Sequence, residues 1–281
     1  MTLNCNGKIL DLKTPKIMGI LNLTPDSFYD GGKYQSVKLA TDRCYKMLKQ
    51  GADIIDIGAA SSKPGSKIIS EKEELRRLST ILKTLVKEFN SAIFSVDTFR
   101  SLIAKASLDE GVAIVNDITA GKFDSKMLPL IGKYNAVYIA MHMQGVPSNM
   151  QENPSYKNII PELISFFSDK ITTCHSHKIS DVIIDPGFGF GKKINQNFKI
   201  LKNLEVFQVL NVPIMVGLSR KSMIYKSLKI EPADALNGTS VLNAVALLKK
   251  ANILRVHDVK EAKESIELCK PNKSIISSRI Y

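Results

Sequence analysis

Asn22, Asp56, Asp97, the pair Asn116-Asp117, His142, Asp185, the run Ser219-Arg220-Lys221 and the run Arg255-Val256-His257 each stand at or near the end of a short apolar stretch. This mixture of carboxylates, amides and cations has a chemistry. Asp97 and Asp185 suit a flat heterocycle with a guanidine-like donor edge, met by paired hydrogen bonds of about 1.5–3 kcal/mol each. Arg255, His257 and Lys63 suit an anionic leaving group such as a diphosphate. Lys221 and Ser222 stand where a helix is predicted to begin, and free N–H groups there favour a carboxylate or phosphate. Any one Asp or Asn in such a place is equally well explained as the cap of the next helix. A ring of them spread along the whole chain is harder to explain that way.

Bringing these residues together requires strands that all end on one rim. Apolar β-type runs are predicted near residues 17–21, 54–57, 93–96, 114–115, 137–141, 182–184, 214–216 and 253–256. Amphipathic helices are predicted over 37–50, 71–89, 102–110, 127–134, 159–177, 197–210, 240–251 and 259–269. The helical reading rests on apolar residues three and four apart, as at Leu75, Leu78, Leu82 and Leu85. Strands without polar alternation indicate a parallel α/β sheet buried on both faces. Eight βα units in this length favour a closed (β/α)8 TIM barrel, where active groups gather at the C-terminal rim. An open doubly wound sheet needs fewer strands, and no Gly-x-Gly-x-x-Gly follows the first one. A small hairpin about Asn6-Gly7 precedes the barrel. The expected organisation is a hairpin over 1–15 that belongs to the barrel domain, the barrel over 16–270 and a polar tail over 271–281.

The 281 residues are 44% hydrophobic with a mean hydropathy of −0.02, which describes an ordinary globule with material for a core. No apolar run approaches the roughly 20 residues that span a bilayer, and the first residues lack the basic and apolar regions of a signal peptide. A cytoplasmic location and no membrane partner are therefore expected. Cys5, Cys44, Cys174 and Cys269 form no Cys-x-x-Cys and read as reduced structural thiols. The net charge of +12 comes from scattered Lys, without the Arg stripe or aromatic platform of a nucleic-acid surface. The glycine-rich stretch 187–193 is not a nucleotide phosphate loop: Pro186 holds the first Gly position, and Lys193 stands where Ser or Thr is required. His142 and His257 have no zinc-ligand spacing.

The run from Met18 to Gly32, in which Asn22 is followed by Pro25, Asp26, Asp30 and Gly31-Gly32, resembles the first signature of the dihydropteroate synthase family. Ser61-Ser62-Lys63-Pro64-Gly65, Ser95-Val96-Asp97-Thr98, Val115-Asn116-Asp117 and Met141-His142-Met143-Gln144-Gly145 resemble its next ones. The stretch from Asp185 through Phe190 to Lys192, then Ser219-Arg220-Lys221-Ser222 and Arg255-Val256-His257-Asp258-Val259, complete the set in family order.

The resemblance implies a transferase that displaces diphosphate from the exocyclic methylene of 6-hydroxymethyl-7,8-dihydropterin diphosphate with p-aminobenzoate. The implied pterin ligands are Asp97, Asn116, Asp185 and Lys221. Arg255, His257 and Asn22 would hold the diphosphate, with Mg2+ contacting Asn22 and phosphate oxygens. Ser62, Lys63, Pro64, Phe190, Lys221 and Ser222 would line the p-aminobenzoate side, Ser222 near its carboxylate. Asp97, Lys221, Arg255 and His257 form the implied catalytic set, and a homodimer is the implied assembly. A dissociative path, in which the C–O bond breaks before the amine attacks, would require cations at the diphosphate, carboxylates facing the cation and exclusion of water. The loops near residues 22–34 and 59–70 are suited to that closure.

At Lys63 the family usually has Arg, whose planar fork Lys lacks. A pterin-binding methyltransferase linked to a corrinoid protein has no use for the diphosphate set, and a silent pterin-binding protein has no use for the whole ring.

Overall fold

The computed structural model describes residues 1–23, 32–60, 69–146, 150–152 and 154–270, with the backbone alone at 32–36. The chain opens with an antiparallel hairpin, β1 (Thr2–Cys5) and β2 (Lys8–Asp11). Asn6 and Gly7 between them have φ of 52° and 82°, the left-handed pair that a two-residue hairpin turn needs and that Asn-Gly tolerates best.

Strands and helices then alternate. β3 (Lys16–Asn22) leads to α1 (Gly32–Lys49), β4 (Ile54–Gly58) to α2 (Glu71–Glu88), β5 (Ile93–Asp97) to α3 (Ser101–Asp109), and β6 (Ile114–Asp117) to α4 (Met127–Tyr134). β7 (Val137–Met141) leads to α5 (Ile159–Ser176) and β8 (Val182–Asp185) to α6 (Ile194–Lys202). β9 (Met215–Val216) precedes α7 (Ser222–Leu228) and α8 (Leu236–Leu248), and β10 (Ile253–Val256) precedes α9 (Val259–Cys269). The strands from β3 onward pair in parallel in the order β8-β7-β6-β5-β4-β3-β10-β9. Ile184 bridges to Ile214, its N–H donating to the Pro213 carbonyl at 3.0 Å, which brings β8 round against the start of β9. The eight predicted βα units thus form the TIM barrel.

Strand parity sorts the residues into two cores. Ile55, Ile57, Phe94, Val96, Val115, Tyr138 and Leu254 face outward and pack beneath the helices. Met18, Ile54, Ile93, Ile114, Ile139, Ile183 and Ile253 face inward, with Leu3, Cys5, Leu10 and Leu12 of the hairpin packed against them as a plug. Fully burying each such side chain contributes about 1.5–3 kcal/mol, so the lower half of the barrel is a stiff apolar floor. One or two inward steps further along, most strands turn polar, at Asn22, Asp56, Ser95, Asp97, Asn116, Asp185 and Arg255, while β7 places Met141 there. Polar alternation is missing from most of each strand because both faces are apolar until the last turn of the barrel.

Some elements differ from expectation. The predicted helix 197–210 is two elements: α6 ends at Lys202, and a 3-10 segment, Leu204–Leu210, follows. The Val206 N–H bonds the Asn203 carbonyl at 3.1 Å, and this i+3 pattern ends at Asn211 with φ 53°. α1 and α8 begin before the apolar spacing does, at Gly32 and Leu236. The segment Ser222–Leu228 is a helix where only a helix start was expected. The tail 271–281 lies outside the described residues.

Candidate active site

The polar layer is organised around Arg255, the inward residue of β10. Its Nε donates to Asp56 Oδ2 at 2.6 Å and its Nη2 to Asp97 Oδ2 at 2.7 Å. Asn116 Nδ2 donates to the same Asp56 oxygen at 3.1 Å. Burial pushes the Asp97 carboxyl up to about 7; Arg255 opposes the shift, and Asp56, Glu74 and Asp117 add to it. Burial also works against the Arg255 charge, but Asp56 and Asp97 outweigh it and hold its pKa above the usual value. Two carboxylates and one guanidinium therefore share a small volume, with Arg255 Nη1 taken by no group among the described residues.

Across the barrel, burial raises the Asp185 pKa against the pull of Lys221, the Gly187 N–H, Arg255 and Lys192. Its Oδ1 accepts the Gly187 N–H at 2.8 Å. Lys221 donates to the Phe188 carbonyl, and its Nζ lies 4.6 Å from the centre of the Phe190 ring, a cation–π contact. Burial brings the Lys221 amine down to about 8, with Asp185 and Asp97 opposing and Arg255 adding. Phe188 and Phe190 belong to the turn after β8, which approaches the β7 end closely. A methyl group on Gly187 (φ 70°) would sit 2.0 Å from the His142 carbonyl oxygen, and one on Gly191 would sit 2.5 Å from that of Gln144. Lys192, 3% exposed, anchors the turn from beneath, its Nζ reaching His142 Nδ1 and the carbonyls of His142, Gly187 and Phe190 at 3.0–3.1 Å.

On the third side, His257 Nδ1 lies 2.9 Å from Ser219 Oγ, and Arg43 of α1 donates to the His257 carbonyl at 2.6 Å. Arg220 pairs with Asp258 at 3.0 Å, tying the ends of β9 and β10 together. Ser222 opens α7 with Lys221 at the N-cap. Asn22 ends β3 beside Gly58, where a methyl group would lie 3.6 Å from Asn22 Oδ1 and 3.3 Å from Asp97 Cβ. The absent side chain leaves room between the amide and the carboxylate.

Asn22, Asp97, Asn116, Asp185, Phe190, Lys221, Ser222, Arg255 and His257 thus stand at one end of the barrel. Ser62, Lys63 and Pro64 lie outside the described residues, as do most of the two loops read as lids. Two rim residues are turned elsewhere. Asp117, one step from Asn116, faces outward and accepts from Thr119, Gly121 and Tyr138 at 2.7–2.8 Å. His142 packs edge-on against Phe166, ring centres 4.8 Å apart. Burial, with Lys192 and Lys122 adding, brings its pKa down to about 2, so the ring beside Lys192 is neutral. Sequence reasoning puts Asp56 on the rim and Lys192 at the end of the glycine-rich stretch but gives neither a role in the site. For Asp56 a signal existed: Ile54, Asp56 and Gly58 share the inward parity of β4.

Mg2+ fits the donor set in a limited way. Among the described residues no three His, Cys, Asp or Glu side chains gather into a metal cluster. Asn22 offers one hard oxygen at the end of β3, which suits an ion that keeps waters and substrate phosphates as most of its ligands.

Fold and site together define a TIM-barrel enzyme with a clamp of acids and cations above an apolar floor. Residues 18–257 match the family described as pterin binding enzyme. Dihydropteroate synthase of Escherichia coli K12 is 37% identical over 283 aligned residues, covering 100% of both chains. The Yersinia pestis dihydropteroate synthase solved with a sulfonamide drug superposes with a TM-score of 0.91 at 36% identity, over 99% of this chain and 100% of that one. The Xanthomonas albilineans enzyme solved with 4-aminobenzoic acid gives 0.89 at 32% identity, over 99% of each. The chain belongs to the pterin-binding enzyme family and, within it, to the dihydropteroate synthases, transferases of folate synthesis.

Proposed function

We propose that the barrel mouth condenses 6-hydroxymethyl-7,8-dihydropterin diphosphate with p-aminobenzoate to give 7,8-dihydropteroate and diphosphate. The Asp56–Arg255–Asp97 clamp facing Asp185 and Lys221 carries this reading, because it sets carboxylates against a ring rich in N–H donors while leaving cationic donors free for phosphate oxygens. Asp185 takes the guanidine-like edge of the ring, with Asp97, Asn116 and Lys221 around the rest. Arg255, His257 and Asn22 hold the diphosphate. Phe190, Lys221 and Ser222, with Ser62, Lys63 and Pro64, hold p-aminobenzoate.

The C–O bond to the diphosphate breaks, and its electron pair leaves with the phosphate oxygen. The ring delocalises the positive charge on the methylene, and Asp97 faces that charge. The aryl amine then forms the C–N bond and loses a proton. Asn22 would hold Mg2+, whose positive charge would offset the negative charge of the diphosphate oxygens.

The protein acts in the cytoplasm as a homodimer. Val241 and Leu248 on α8 and Leu268 on α9 are 53%, 67% and 87% exposed, on neighbouring helices that would present an apolar face to a second copy. Among the described residues no helix is long and apolar enough to cross a membrane.

Purified protein given both substrates and Mg2+ is expected to release diphosphate and dihydropteroate in equal amounts. A single-turnover run without p-aminobenzoate tests the order of steps: a path through the cation releases diphosphate there too. Absence of dihydropteroate from the full mixture would refute the reading.

A further inference from the structure

We propose that Asp56 is the positioning residue of this site: one of its oxygens sets both the guanidinium plane of Arg255 and the amide sense of Asn116. The inference rests on the functional reading above and assigns a role to a residue outside the substrate contacts.

Asp56 is fully buried and lies one inward step below the strand end, on β4. Its Oδ2 takes both bonds, from Arg255 Nε at 2.6 Å and Asn116 Nδ2 at 3.1 Å. Among the described residues its Oδ1 has no hydrogen-bond partner. Asp117 shows what a buried carboxylate of the scaffold looks like: Thr119 saturates its Oδ1, and Gly121 and Tyr138 saturate its Oδ2. Leaving a buried carboxylate oxygen unpaired is costly, and both bonds that Asp56 does make go to residues of the mouth.

Two consequences follow from the chemistry of the partners. A guanidinium held at Nε by Asp56 and at Nη2 by Asp97 is fixed at two points, so its plane is set and Nη1 is aimed; held by Asp97 alone, it can swing. A carboxylate only accepts, so Asn116 must turn Nδ2 toward Asp56 and leave Oδ1 on the other side of the amide as an acceptor. Asn116 then receives an N–H of the ring.

The test is Asp56→Asn in the full chain, beside wild type. The expected result is a fall of about a hundredfold in kcat/KM for the pterin diphosphate, with the KM for p-aminobenzoate within about twofold. Calorimetry with 6-hydroxymethyl-7,8-dihydropterin alone should show binding weaker by about tenfold. Added to Arg255→Met, where no guanidinium remains to be aimed, Asp56→Asn should cost less than about tenfold. A loss within threefold of wild type, an equal rise in both KM values or an undiminished cost in the Arg255→Met background would each overturn the proposal. Asp56→Ser is the second variant if Asp56→Asn does not fold, and failure of both to fold would overturn the proposal by placing Asp56 in the scaffold. A wild type that binds the ring but makes no dihydropteroate sinks the functional reading, and the calorimetric comparison still decides the role of Asp56.

Discussion

Lys192 and Lys221 meet the same glycine-rich turn from opposite sides, and their amines are handled in opposite ways. Burial lowers the pKa of both. Lys192 is enclosed by three carbonyl acceptors, one for each hydrogen of an ammonium, with the His142 ring nitrogen beside them. Among the described residues Lys221 has one acceptor, the Phe188 carbonyl, and the face of the Phe190 ring. An amine whose hydrogens are all taken by the protein belongs to the scaffold. One with hydrogens to spare at a barrel mouth has been positioned for something else.

The comparison breaks most sharply on paired substitutions to methionine, which keeps the length of the stem. Lys221→Met is expected to lower kcat/KM about a thousandfold, roughly 4 kcal/mol of transition-state stabilisation, while the unfolding midpoint in urea stays near wild type. Lys192→Met is expected to do the reverse. It strands buried carbonyls of His142, Gly187 and Phe190 and should lower unfolding free energy by about 3 kcal/mol, with the surviving folded fraction retaining activity. Urea titration and steady-state kinetics on both proteins check this; a Lys192→Met protein as stable as wild type would end the distinction.

A smaller effect comes from pH. The Lys221 pKa lies near 8, so the amine is charged below that value and loses its proton as pH rises through it. If the charge serves an anionic substrate, kcat/KM should hold a short plateau between pH 7 and 8 and fall about tenfold per unit above it, with a separate fall below about pH 7 as Asp97 takes up its proton. Lys221→Arg, whose charge persists, should carry the plateau past pH 9. A wild-type profile flat to pH 10 would mean that the Lys221 proton is not used.

The sequence made the rim legible because apolar runs stop at polar residues, and this is what strand ends at a barrel mouth look like. It could not decide between neighbours. Asn116 and Asp117 are adjacent, and only the register of β6 against β5, which pairs Asn116 with Asp97, puts the first inward and the second beneath the helices. Asp56 is legible on the rim but carries no role there, for a related reason: inside Ile54-Ile55-Asp56-Ile57 it interrupts a buried run instead of ending it. Lys192 lay in a turn whose contacts come from the β7 end, about 50 residues back along the chain, and no local spacing encodes those. α7, 7 residues long, is too short to declare a helical period.

The smallest expected change extends the comparison from two lysines to lysine against arginine. Arg255 shows what the planar fork provides: two carboxylates engaged at once, at 2.6 and 2.7 Å, with Nη1 bonded to no group among the described residues. Lys63 stands where the family usually carries that fork, and an ammonium brings the charge without the planar, bidentate geometry. Lys63→Arg is therefore expected to lower the KM for one of the two substrates by about tenfold, or ~1.4 kcal/mol, with kcat little changed because the gain is in binding. Steady-state kinetics with each substrate varied in turn identify which substrate Lys63 meets. Unchanged KM values for both would show that a point charge serves this loop as well as a fork, and the contrast between the two cations would then apply only at Arg255.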